Sequence, residues 1–256
     1  LLKKISMSTM AGGLGALMPD LVRGMADNGA SVVALNMIYD RYEDGTEAGK
    51  WLKETIKSLE GYSIIKGIEL EYDGKKITVD AYTCRLGGAL QVWVDGSGYL
   101  YEGNQNSHER ASQMKLYNAA GQAVIKELRK RGLIAQGKKL IHLENEAYTH
   151  LPKEEGDVII VNHTVVAGGM PNYLKSLFSD LVGQYGDSIF DRSGRLRLEV
   201  LGAIRAMKII GVSIDHTRIL KEAVFPESLR DVGANKEMIA EILSKIVMDN
   251  EYGSSN

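Results

Sequence analysis

The 256-residue chain holds one cysteine, Cys84, so no internal disulfide can form within it. A lone thiol suits a reducing compartment, and the cytoplasm is the expected location. Cys84 lies in the strand-like stretch "ITVDAYTCRLG", which marks it as a packed side chain rather than a nucleophile. No apolar run approaches the roughly 18 residues that span a bilayer, so no membrane partner is expected. Basic residues are scattered rather than striped and the formal net charge is −2, which removes the electrostatic case for nucleic acid. Internal repeats and low-complexity linkers are absent too. The start, "LLKKISMSTM", lacks an initiator Met and does not read as a signal peptide; a chain cut from something longer is the expectation.

What is present is an ordinary globular composition, 44% hydrophobic and 25% charged, at a length that fits one large α/β domain or two small ones. Lys4 to Thr9 reads as a short strand, followed by a glycine turn. Leu14, Leu17, Met18, Leu21, Val22 and Met25 then recur at helical spacing up to the stop at Asp27 to Gly29. "ASVVALNMIY" is a buried strand of the parallel type, so the chain opens as a βαβ unit. A short helix is predicted over Trp51 to Leu59. Alternation around Asp73-Gly74 predicts a hairpin, and a second turn at Gly87-Gly88 leads to Leu90 to Val94. A long helix follows over His108 to Arg131, then buried strands over Lys138 to Asn145 and Asp157 to Thr164. Helices are predicted for Asn172 to Tyr185, Arg195 to Ile210 and Lys236 to Met248. The expected architecture is a single α/β domain over residues 1–256. It is Rossmann-like, with an open, mostly parallel sheet, an antiparallel hairpin insertion and a helical C-terminal segment.

Four stretches carry chemistry. In "STMAGGLGALMPDL" the glycines Gly12, Gly13 and Gly15 sit where backbone N–H groups at a helix N-terminus can approach an anion. The dinucleotide fingerprint would need glycine at Met18, and the ATP loop would need Lys-Ser/Thr in place of Ala16-Leu17. An anion cradle and a ligand-free tight turn both remain open. His163, just past a buried strand in "VIIVNHTVVAGG", stands where open α/β sheets bind ligands, and serves either a sugar hydroxyl or the local turn. In "IHLENEAYTH", His142 and Glu144 share a strand face, yet with Glu146 and His150 they make no recognised ligand spacing, so a polar rim and no metal is expected. Asn104, Gln105 and Asn106 form a polar turn before Ser107, a candidate helix N-cap; amides there suit hydroxyl recognition or simple turn formation.

Taken in order, six pieces resemble the N-terminal half of the α-glucan (glycogen, starch and maltodextrin) phosphorylases, which have the GT-B glycosyltransferase fold. They are "GGLG", "ALNMIYD", the section from "ITVDAYTCRLGG" to "NSHERASQ", "IHLEN", "VNHTVVAGG" and "IIGVSIDHTRILKEAVFP", ending near Pro226. The resemblance implies reversible transfer of glucose between an α-1,4-glucan and inorganic phosphate, giving glucose-1-phosphate. It implies that backbone N–H groups of Gly12, Gly13 and Leu14, with Gly15 completing the loop, face phosphate and glucose. His163 would contact the donor glucose, and Asn104 or Asn106 the glucose hydroxyls. The family's cofactor, pyridoxal phosphate, is held by a lysine in its other half, which this chain does not resemble. None is therefore expected on this chain alone, which would be inactive without a second domain. Homo-oligomerisation is left open. Departures from the family are Glu146-Ala147-Tyr148 where a His is expected, and Ala167-Gly168 where "HTV" is followed by Pro. Two alternatives stand beside it. One is a glycogen or starch synthase using a nucleotide sugar, whose K-x-G-G-L lysine would fall at Met10; the other is a non-catalytic glycan-binding remnant of the fold.

Overall fold

The computed structural model describes residues 12–42, 47–95, 100–101, 107–137, 140–144, 156–162, 173–174 and 185–248. The chain divides into two compact units, Leu1–Gln105 with Lys115–Gln136, and Asn106–Met114 with Gly137–Asn256. The expected strand at Lys4 to Thr9 lies outside the described residues.

In the first unit, α1 (Gly12–Asp27) leads into β1 (Val33–Met37), β2 (Arg41–Tyr42) and α2 (Ala48–Lys57). Next come β3 (Ser63–Tyr72), β4 (Lys75–Leu86), β5 (Ala89–Asp95) and β6 (Leu100–Tyr101), before α3 (Ser107–Lys130), whose part from Lys115 onward belongs to this unit. Pro19 lies inside α1. Its missing N–H and its ring fall against the carbonyl of Gly15, four residues back. The strand order is β1-β5-β4-β3, with β1 parallel to β5 and the other pairs antiparallel. The hairpin forms as predicted: Asp73 and Gly74 both take positive φ (51° and 69°), and Tyr72 pairs Lys75 across them. Helix α2 buries Leu52 and Ile56, with Leu59 just beyond its end, against Ile38, Tyr82, Cys84 and Trp93. Full burial of each aliphatic side chain contributes about 1.5–3 kcal/mol. The helix comes this close because its second residue is Gly49, where a Cβ would lie 2.8 Å from the Tyr39 carbonyl oxygen and 2.9 Å from Asp40 Cα.

In the second unit, β7 (Leu140–Glu144), β8 (Gly156–Asn162) and β11 (Ala206–Gly211) form a parallel sheet in the order β11-β8-β7. Two short strands, β9 (Tyr173–Leu174) and β10 (Arg195–Leu196), pair antiparallel. Helices α4 (Leu198–Arg205), α5 (Ile214–Ile219), α6 (Phe225–Asp231) and α7 (Lys236–Ser244) complete the unit. Val158, Ile160 and Ile209 of the sheet pack with Val200, Leu220, Phe225, Leu229 and Ile242 of the helical segments. Between α5 and α6 a π turn spans Leu220–Val224. Pro226 has no N–H for the carbonyl four residues back, and a widened turn absorbs that loss. Arg197 ties the layer together by pairing with Asp231, Asp191 and Glu199, and the Ser228 hydroxyl donates to Glu199 Oε1 at 2.8 Å.

Three expectations change. The hairpin is not an insertion beside a mostly parallel sheet: β5 hydrogen-bonds β4 on one edge and β1 on the other, so this sheet is mixed, while a three-stranded parallel sheet lies in the second unit and β2 and β6 form a short parallel pair in the first. The helix predicted over Arg195 to Ile210 is β10, then α4, then β11. "AMKIIG" gains its hydrogen bonds from β8, a partner far away in sequence. Tyr173 and Leu174, read as helix, are strand; residues 175–184 of that prediction lie outside the described set. Among the described residues no helix is long and apolar enough to cross a membrane.

The packing at Gly49 sets one expectation. Gly49→Ala should destabilise by about 1–3 kcal/mol in urea unfolding, because overpacking against backbone outweighs the gain in helix propensity. Gly24→Ala, with nothing within 4 Å of the new Cβ, should stabilise by about 0.5–1 kcal/mol. Equal effects at the two positions would contradict the close approach.

Candidate functional site

Parallel strands put their ligand chemistry at the carboxyl edge, because there the chain leaves the sheet into loops and helix N-termini. In the first unit that edge is reached by β1 and β5. Helix α1 ends beside their amino edge: Gly29 leads directly into β1, and a Cβ on Gly88, before β5, would touch Ala26 Cβ at 3.3 Å. The N-terminus of α1, a helix of about 24 Å, points away from that amino edge. Gly12, Gly13, Leu14 and Gly15 form its first turn, so the glycines lie within the helix rather than before it, and no acidic side chain occupies that turn. Their N–H groups are those an α-helix leaves without internal partners, and the positive end of the helix dipole favours an anion there.

At the carboxyl ends of β1 and β5 a charged cluster closes on α2. Lys53 Nζ donates to Asp95 Oδ2 at 3.0 Å and lies 3.9 Å from Asp40 Oδ1. Burial lowers the Lys53 pKa, but the hydrogen bond and charge of Asp95, then the charge of Asp40, raise it further, leaving it above its ordinary value. Sequence reading passed over these three residues, which stand 13 and 42 positions apart. The one signal was Asp95 at the end of a buried strand. Cys84 is buried and free, and burial pushes its thiol up, away from nucleophilic use.

In the second unit β11 ends at Gly211. A Cβ there would lie 2.5 Å from Thr217 Oγ1 and 2.7 Å from Thr217 N, so only glycine lets α5 fold back onto the strand end. Thr217 Oγ1 accepts from Gly211 N at 3.2 Å and donates to the Ser213 carbonyl at 2.8 Å, while Ser213 Oγ caps His216 N at 3.1 Å. A cavity of about 300 Å³ opens along this strand, lined by Ile159, Lys208, Ile210, Gly211, Ser213 and Thr217 among others. This is the sixth of the sequence pieces, "IIGVSIDHTRILKEAVFP", whose chemistry was not anticipated.

Of the candidate residues, Gly12, Gly13, Leu14 and Gly15 are brought together in one helical turn. Asn104, Asn106 and His163 lie outside the described residues; His163 follows Asn162, the last residue of β8. His142 and Glu144 occupy alternate positions of β7, opposite Val158 and Ile160. No group of three His, Cys, Asp or Glu able to hold a metal occurs among the described residues, which do not include Glu146 and His150.

No protein-family model and no curated protein matches the chain. Among solved structures, the fold is similar to the catalytic domain of starch synthase IV from Arabidopsis thaliana bound to ADP and acarbose. The TM-score is 0.67 at 12% identity, over 93% of this chain and 48% of that one. The chain spans about half the length of that structure. At this identity the likeness is one of fold: an α/β arrangement of mixed sheet and helices similar to a GT-B glycosyltransferase domain. It supports the GT-B part of the family resemblance and does not single out the phosphorylases.

The Lys53 pair has a pH signature. A raised folded-state pKa means stability fully present below the unfolded lysine value, near 10.4, and lost as pH climbs through the folded one. Lys53→Met should cost about 1–3 kcal/mol at pH 7, since it removes the ammonium that pairs with the largely buried Asp95 carboxylate. The gap to wild type should narrow above about pH 10.5 in urea titrations. A gap that stays constant with pH would contradict the pairing.

Proposed function

We propose that this chain forms part of a GT-B glycosyltransferase acting on an α-glucan, with a nucleotide sugar of the starch-synthase kind as donor. The likeness to a starch synthase domain bound to ADP and acarbose carries this reading. The anion-ready first turn of α1, Gly12 to Gly15, supplies its chemistry. A diphosphate placed there would accept from backbone N–H groups and meet the helix dipole, an interaction of about 1–2 kcal/mol when partly buried. Because the chain spans about half of that structure, it accounts for a share of such a site, and turnover belongs to the intact gene product.

A second reading is favoured by a specific observation. A synthase would place a donor-phosphate lysine at Met10, and the six ordered pieces suit a phosphorylase, with glucose-1-phosphate or phosphate in place of the nucleotide sugar. In that case His163 contacts the donor glucose and Asn104 or Asn106 its hydroxyls. Pyridoxal phosphate would supply phosphate acid/base chemistry when bound; two half-buried lysines are already engaged, Lys53 by Asp95 and Lys245 by Glu241 and the carbonyls of Ala203 and Ile204. In this reading the cofactor is held by a lysine of the family's other half, which this chain does not resemble.

The two are separated by incubating the intact gene product with maltoheptaose and either ADP-glucose or phosphate. Chain extension from ADP-glucose supports the synthase reading; glucose-1-phosphate release supports the phosphorylase. Turnover with neither, with glucan binding retained, would overturn glycosyl transfer altogether. Gly13→Leu, a good helix former that fills the anion approach, should lower kcat/KM by about 100-fold or more while the fold persists. Normal turnover in that variant would leave the turn purely structural.

A further inference from the structure

The parallel sheet of the second unit sorts its side chains between two faces with a period of two. Val158, Ile160 and Ile209 point into the core under the helices, and Ile246, bridged to Ile209, joins them there. The alternate residues Ile159, Lys208 and Ile210 take the other face, with Lys208 directly beside Ile159 in register. Val247, whose N–H donates to the Ile209 carbonyl at 3.0 Å, carries that face past the edge of β11. These four residues line the cavity along β11, and Val212, Ser213 and Thr217 line it at the strand end. Its volume of about 300 Å³ stands at the lower end of small-molecule sites, which suits a small ligand.

The chemistry of the lining narrows that ligand. Ile210 and Val212 stay 38% and 36% exposed, so the apolar wall is open to what enters. Both hydroxyls are engaged at the strand end: Thr217 Oγ1 accepts from Gly211 N and donates to the Ser213 carbonyl, and Ser213 Oγ accepts from His216 N. A sugar, whose buried hydroxyls each need a partner, is poorly matched to such a wall. Lys208 brings the one charge among the described residues of the lining, and no described residue pairs with its ammonium. One cation beside an apolar wall is complementary to one negative charge on an apolar body. A phosphate dianion or a nucleoside diphosphate would bring charge that nothing else in this lining answers.

We propose that this cavity binds a small amphipathic monocarboxylate, its apolar chain against Ile159, Ile210 and Val247 and its carboxylate on the Lys208 ammonium. Such a site is independent of glycosyl transfer by this chain.

Titration of octanoate, kept below its micellar range, into the isotopically labelled full chain tests the site by NMR, with octan-1-ol as the uncharged control. Octanoate should give saturable shifts at the Gly211, Val212 and Val247 amides and bind about tenfold or more tightly than octan-1-ol. Lys208→Met keeps the apolar stem and removes the charge, so it should bring the two ligands within about threefold of each other. Lys208→Arg should restore the preference for octanoate. Lys208 is exposed, so an unchanged melting curve verifies that both variants fold. Equal binding of octanoate and octan-1-ol to wild type, or a preference that survives in Lys208→Met, overturns the carboxylate pairing and the proposal with it. Octanoate shifts that fail to saturate, or that fall elsewhere on the chain, overturn the site itself.

Discussion

At Gly49 and Gly211 backbone meets backbone more closely than a Cβ atom would allow, and both contacts fall just after a parallel strand ends. That constraint orders the rest. In the first unit it lets α2 lie against residues 39 and 40, which in turn brings Lys53 within reach of Asp95 and closes the Leu52–Ile56 face on the sheet. In the second unit it lets α5 turn back on β11, with Thr217 satisfying the Gly211 N–H that the sheet no longer can. A helix that starts this close to a strand end keeps the carboxyl edge compact and fixes the groups that line it.

Two features directed toward the carboxyl edge of the first unit differ in electrostatic kind. The first turn of α1 offers N–H donors and a positive dipole end with no acidic side chain of its own, a standing invitation to an anion. The carboxyl ends of β1 and β5 carry charge that is already answered, Lys53 by Asp95 and Asp40. The glycine turn can receive a ligand's charge, whereas the lysine cluster holds the scaffold. The proposed glycosyl transfer would use both, because donor phosphate is best met by preorganised donors that do not move when it arrives.

Much of this was legible in the sequence where the cause is local. Asp73-Gly74 specified its turn through φ, and the stop at Asp27 to Gly29 closed α1. The apolar runs of β1, β7 and β8 marked strands, although β1 is buried only at Met37 and Ile141 of β7 stands exposed. What was not legible depends on distant partners. "AMKIIG" continues the apolar pattern of α4 and becomes a strand only because β8 is there to pair it. Lys53 meets Asp95 and Asp40 through the packing of α2, which no spacing announces. The crowding at Gly211 comes from Thr217, six residues on, and needed the α5 reversal to be seen.

The most direct measurement of the central claim is an amide titration by NMR, in which ADP is added to the isotopically labelled full chain. Progressive, saturable shifts of the Gly12, Gly13, Leu14 and Gly15 amides, larger than those elsewhere on the chain, are what the account predicts. Those four amides staying unmoved at saturating ADP, or moving no more than the rest, would contradict it.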